Sequence, residues 1–254
     1  MAAVKCWCRN VIDAARWGVT LGLLCLGLLT ATVSAEPADA ASVNDAGGEP
    51  AVARGVPYGA EPYGSAADRD ALAARLSALA VYSADFIQNV YGARGEVLEA
   101  SEGYVRLQRP AFKWVVQDPY PQTIVTEGDR LKLYDPDLEQ LTIRPLDEAL
   151  QDTPVSLLTR DDVIIGDQFA IVRIADAQGE SYLIDPRSPD TLYRQIQLHF
   201  DPVPGGGWAL MGLDILDHLG QRTEIRFEPD PGVTAIPAGE FALDVPPDTD
   251  VIGG

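Results

Sequence analysis

The sequence predicts a mainly β fold with a few helices. Eleven short strands form one antiparallel sheet, curled because a sheet of that width does not stay flat, and helices cover its concave face. Three observations carry this. The hydrophobic period changes from near 3.6 to 2 at Ala84, the mark of a helix giving way to half-buried strands. Short alternating segments then follow one another, separated by Gly and Pro signals, as in an all-β domain. The chain has 254 residues, 46% apolar and 22% charged, which suits a packed core and excludes disorder throughout.

The helix is expected over 68–82, where Leu72, Leu76, Leu79 and Ala80 share one face and Asp68, Arg69, Asp70 and Arg75 lie elsewhere. Strands are expected at 85–91, 103–108, 112–117, 122–126, 130–135, 140–143, 169–175, 181–185, 192–200, 208–214 and 223–227. Glu127-Gly128-Asp129 reads as a hairpin link. Asp118-Pro119, Asp135-Pro136, Asp185-Pro186 and Asp201-Pro202 each stop a strand by removing an amide donor. In 192–200, Leu192, Ile196, Leu198 and Phe200 read as the apolar face, Tyr193, Gln195, Gln197 and His199 as the wet one, and Arg194 as an interruption at a strand end. Between the sixth and seventh strands, 146–150 and 153–158 read as two short helices, the second capped by Thr153 with Pro154 at its first position.

The amino-terminal third reads differently. Lys5, Arg9 and Arg16 are followed by an apolar run over 19–33 that closes on Val33-Ser34-Ala35. This charged, apolar, small-residue order predicts a signal peptide at 1–35, cut after Ala35. Cys25 follows Leu24, so the pattern does not read as a lipid-anchoring one. Cys6, Cys8 and Cys25 all precede the cut, leaving a mature chain with no thiol for a disulfide, a zinc-thiolate site or a nucleophile. Residues 36–67 are rich in Ala, Gly, Pro and acidic residues, with Pro57-Tyr58-Gly59 echoed by Pro62-Tyr63-Gly64, and read as a flexible leader. The folded unit is then 68–254.

Charge and motifs narrow the function classes. The net charge is -19, and losing three basic residues and one acidic residue with the presequence takes it to -21. Nucleic acid and anionic membrane surfaces, which reward clustered Lys and Arg, are therefore poor partners. His199 and His218 stand in no metal-ligand spacing, and no Gly-x-Ser-x-Gly elbow, phosphate loop or dinucleotide fingerprint occurs. Asp135-Pro136-Asp137-Leu138-Glu139 alternates acids as a calcium loop does, but lacks the loop's glycine and distal glutamate and reads as a solvated turn. No metal and no cofactor is implied, and no carboxylate pair stands out for glycoside chemistry.

One ordered set of motifs goes further. Gly103-Tyr104-Val105-Arg106-Leu107-Gln108-Arg109-Pro110-Ala111-Phe112-Lys113-Trp114 resembles the strand-Arg-Pro-x-x-x-Trp signature of the LolA family of periplasmic lipoprotein carriers. Phe86-Ile87-Gln88, Ile124-Val125-Thr126-Glu127-Gly128, the run over 133–140, Thr153-Pro154 with Leu157-Leu158, and the closing run over 241–252 match further family blocks in the same order. The resemblance spans about 72–252. Residues before Asp68 depart from the family's usual short start, and Leu133 stands where an aromatic is often found.

The resemblance implies an open half-barrel of eleven antiparallel strands, lidded by three helices over a concave apolar face. It implies a monomeric periplasmic chaperone, not an enzyme, that takes acylated lipoproteins from an inner-membrane ABC-type release complex and delivers them to a LolB-like outer-membrane acceptor. On that reading Phe112, Trp114, Leu131, Leu133, Leu141, Ile143, Trp208 and Leu210 line the acyl-chain cavity, with Leu146, Leu150, Leu157 and Leu158 from the lid. Arg109 is the lid clasp. Alternation alone leaves each apolar residue equally readable as plain core. A related half-barrel that binds lipid or regulates a periplasmic response, a secreted glycan-active enzyme, and a filled-core structural protein stay as alternatives.

Overall fold

The computed structural model describes residues 64–150, 156–159, 168–204, 206–230 and 232–253. The expected signal peptide, nearly all of the leader and the Thr153-Pro154 helix start lie outside these residues. Helix α1 (Ala66–Ala78) begins two residues before its expected start because Ser65 caps it. The Asp68 amide donates to Ser65 Oγ at 3.1 Å and the Ser65 amide donates to the Asp68 carboxylate at 3.3 Å, a reciprocal capping box. The helix stops short of 82 because Tyr82 already belongs to the first strand.

Twelve strands follow: β1 (Val81–Tyr91), β2 (Val97–Gln108), β3 (Ala111–Asp118), β4 (Gln122–Glu127), β5 (Arg130–Asp135), β6 (Gln140–Pro145), β7 (Phe169–Ala175), β8 (Glu180–Pro186), β9 (Tyr193–Pro202), β10 (Trp208–Asp217), β11 (Arg222–Pro229) and β12 (Asp250–Gly253). Every expected strand falls within one of the first eleven, Leu192 alone excepted. Helices α2 (Leu146–Leu150) and α3 (Ser156–Thr159) stand between β6 and β7, and a 3₁₀ turn covers Ala238–Phe241. Gly128 takes φ 61° in the two-residue β4–β5 link, at the first central position that a type II′ hairpin reserves for glycine.

The strands form one sheet in the order β12-β6-β5-β4-β3-β2-β1-β11-β10-β9-β8-β7, open between β12 and β7. The pairings are antiparallel except β12 with β6, which is parallel. The curl follows from what α1 touches. Arg109, at the β2–β3 turn, bonds the carbonyl of Leu76, while the adjacent Arg75 bonds Glu180 on β8. A flat sheet would hold β2 and β8 about 24 Å apart at roughly 4.8 Å per strand step. Both edges of that span therefore bend toward the helix.

The face turned to the helix carries the core. Leu72 and Leu76 of α1, Leu79 that caps it and Leu158 of α3 join Phe86, Val105, Phe112, Trp114, Leu133, Ile171, Ile184, Ile196, Leu198 and Phe227 in one buried cluster. The register at β9 corrects the expected facing. Pairing with β10 steps from Gln195 opposite Leu216 to Tyr193 opposite Asp217, so Arg194 bulges out. A bulge inverts the alternation beyond it. Tyr193 therefore joins the core at 4% exposure and Leu192 lies exposed.

Candidate functional site

The concave face is fixed by which residues stand opposite one another, because directly paired residues share a face. Trp114 pairs with Val105 on β2 and Ile124 on β4, and Ile124 with Leu133 on β5. Phe112 pairs with Leu107, one row nearer Arg109. The floor is aromatic at its centre: Phe86 stacks on Trp114 with centroids 4.0 Å apart, and Phe227 meets both Trp114 and Tyr82 edge-on at 6.2 Å and 5.9 Å. Gly103 makes room for this stack, since a Cβ there would lie 1.8 Å from the Val115 carbonyl oxygen and 2.9 Å from the Phe86 ring. The Tyr82 hydroxyl donates to the Leu210 carbonyl at 2.6 Å, and burial pushes its pKa upward.

Two polar clusters hold helices over this floor. Arg109 Nε donates to the Leu158 carbonyl at 2.8 Å and its terminal nitrogen to the Leu76 carbonyl at 2.7 Å. One guanidinium thus ties the β2–β3 turn to the carboxyl-terminal turns of α1 and α3, where a cation also complements the helix dipole. The second cluster centres on Glu180, whose side chain is 4% exposed. Arg75 of α1 donates to it at 3.1 Å and 3.0 Å, Tyr182 at 2.7 Å, and Arg173 completes the set. Burial alone would raise the Glu180 carboxyl, but the bonds from Tyr182, Arg173 and Arg75 outweigh it and hold the pKa below the ordinary glutamate value. The Arg75 guanidinium also lies 4.1 Å over the Trp208 ring.

The thirteen residues singled out from sequence sort into three groups. Phe112, Trp114, Leu131, Leu133, Leu158 and Leu210 are buried in the concave cluster, Leu146 and Trp208 pack against it, and Arg109 bridges to the helices. Leu141 and Ile143 are a correction. Leu141 pairs with Tyr134 and Ile143 with Lys132, whereas Leu131 and Leu133 pair with Arg144 and Thr142. Both therefore face the outer side of the sheet. That side is apolar here because the carboxyl-terminal segment crosses it: Lys113 Nζ, on the same face, donates to the carbonyls of Glu240 and Ala242 at 3.0 Å and 2.8 Å, and Val125 beneath is 1% exposed. Leu150 falls in α2 and Leu157 in α3.

Sequence reasoning passed over Tyr82, Phe227 and the Arg75, Glu180, Arg173 group. The Phe86 position was marked by its motif, but nothing local distinguishes Glu180 from the other acidic residues. On the outer face, Ser181 Oγ lies 2.9 Å from His199 Nδ1, and His199 Nε2 lies 2.8 Å from Asp214, which Arg226 also holds. Burial would raise Asp214, but His199 and Arg226 keep it low. Ser181, His199 and Asp214 stand side by side on the adjacent interior strands β8, β9 and β10. Among the described residues no cluster of His, Cys, Asp and Glu is placed to hold a metal, and no described helix is long and apolar enough to cross a membrane.

An open curled sheet whose apolar face lies under helices tied down by an arginine is a lidded half-barrel. The chain belongs to the LolA family: the family model described as "Outer membrane lipoprotein carrier protein LolA" matches residues 77–244. It is 38% identical over 182 residues to an outer-membrane lipoprotein carrier protein of Chromohalobacter salexigens, covering 71% of this chain and 84% of that one. A carrier of the same name from Pseudomonas paraeruginosa is 34% identical over 191 residues, 73% of this chain and 89% of the other. Among solved structures, a LolA superfamily protein from Nitrosomonas europaea is similar at 9% identity and a TM-score of 0.41, covering 68% of this chain and 97% of its own.

Proposed function

We propose that this protein is a periplasmic chaperone that accepts acylated lipoproteins from an inner-membrane ABC-type release complex and delivers them to a LolB-like outer-membrane acceptor. Residues 1–35 direct export and are removed, 36–67 serve as a leader, and 68–254 act as a monomeric carrier without enzymatic activity. The observation that carries this reading is Arg109, which ties α1 and α3 down over an apolar face. Sheet and helices packed together form the closed, empty state. When the arginine lets go, the helices lift and the concave residues Phe112, Trp114, Leu131, Leu133, Leu146, Leu158, Trp208 and Leu210 meet acyl chains instead.

Elementary energetics favours such a surface. Burying an acyl chain returns about 0.8 kcal/mol per methylene, without directional bonds that would fix the cargo. Reversibility then depends on the competing closed state, in which the protein covers its own apolar floor. Family membership supports the cargo class, and the leading apolar run supports export.

The test is a release assay. Inner-membrane vesicles carrying the release complex and a triacylated lipoprotein are incubated with ATP and the purified chain. The reading expects the lipoprotein to leave the vesicles in a soluble one-to-one complex; lipoprotein that stays entirely with the membranes would overturn it.

A further inference from the structure

Trp114 is 3% exposed, and its indole Nε1 has no hydrogen-bond partner. An indole nitrogen can only donate, and the neighbours that the structure describes against its ring are apolar side chains. Phe86 covers the ring at 4.0 Å, Phe227 meets it edge-on at 6.2 Å, and Val105 and Ile124 flank it across the two neighbouring strands. A buried donor left unmade costs stability, and a phenylalanine would keep the aromatic stack without that cost. The orphan lies in the floor that the carrier reading assigns to acyl chains, one row along β3 from Phe112.

An acyl chain is hydrocarbon except at its head, where the carbonyl oxygen accepts a hydrogen bond. A free carboxylate would bring an unpaired charge into this aromatic floor, at a cost well above the return from one bond. A neutral ester brings the acceptor without the charge. We propose that the Trp114 indole N–H donates to an ester carbonyl of the bound acylglyceryl group, making Trp114 a specificity residue that selects acyl esters over plain hydrocarbon and over free fatty acid. The inference rests on the carrier reading and adds a polar contact to a site otherwise governed by apolar area.

Two synthetic lipopeptides test it, alike except that one carries a diacylglyceryl group and the other its dialkyl ether counterpart, which lacks the carbonyls. Proton–nitrogen spectra of the wild-type protein read the Trp114 indole directly, its signal assigned by its loss in Trp114→Phe. The diester is expected to bind about tenfold more tightly than the diether, the worth of one hydrogen bond to an otherwise unpaired donor, and to move the Trp114 indole proton downfield where the diether does not. Trp114→Phe should bring the two affinities together. Equal affinity of the wild type for both ligands, with the indole responding alike, would overturn the proposal while leaving the carrier reading intact. Binding of neither lipopeptide would refute the carrier reading and this proposal with it.

Discussion

Arg109 makes two charge-assisted bonds to carbonyls on two different helices, each worth about 1.5–3 kcal/mol when its partner is charged. Arg109→Leu removes both, and the closed state should lose at least one bond's worth relative to the open one, a population shift of about tenfold or more. Amide hydrogen exchange across α1 should quicken accordingly, and unchanged protection would contradict the clasp. Lysine, a point charge on a flexible stem, cannot span both carbonyls and should restore only part of the protection. At Gly103 a Cβ meets the Val115 carbonyl oxygen at 1.8 Å, so Gly103→Ala must spread β2 from β3. We expect a loss of about 1–3 kcal/mol in urea unfolding, the usual cost of overpacking. Arg109 was legible because it stands before a proline in a recognisable motif. Glu180 was not, because its importance comes from Arg75, 105 residues away in sequence.

Among elements, α1 is held at two places, by Arg109 near its end and by the Glu180 cluster through Arg75. The Glu180 carboxyl is held below its ordinary value of 4.5. A carboxylate with a depressed folded-state pKa contributes stability that is present above its unfolded value and fades as pH falls through the folded one. The protein should therefore lose stability on acidification below about pH 4.5, and Glu180→Gln should flatten that part of the pH profile in thermal melts. The same variant should cost about 1–3 kcal/mol at neutral pH, because it strips two arginines and Tyr182 of their shared acceptor. A variant as acid-sensitive as the wild type would remove Glu180 from this role. Strand positions were readable from alternation, but their facing failed in two places with identifiable causes. The bulge at Arg194 inverts the alternation of β9, and β6 pairs with β5 in the register that sets Leu141 and Ile143 opposite Tyr134 and Lys132, so these two apolar positions lie on the outer face, where the carboxyl-terminal segment crosses β3 and β4. Strand β12 went unread because its four residues are all exposed and show no alternation.

For the whole molecule, the width of the sheet forces curvature, and the bonds of one helix to β8 and to the distant β2–β3 turn give its direction. The curl could be anticipated from strand count and the openness only from the family resemblance, whereas the closed seating of the helices could not, since it depends on the long-range bonds of Arg109 and Glu180. The net charge of -19 opposes compaction through self-repulsion. Moderate salt should therefore raise the melting temperature by about 2–4 °C for each kcal/mol of repulsion screened, and a fall would show that the ion-pair clusters outweigh the general repulsion. The central claim is that this protein carries acylated cargo under a lid that Arg109 holds shut. Native mass spectrometry of the protein purified from a Gram-negative periplasm, beside Arg109→Leu, tests it most directly. The account predicts masses of bound acylated lipoprotein, with the larger fraction on the variant, whose closed state competes less well; a bare protein mass for both would contradict it.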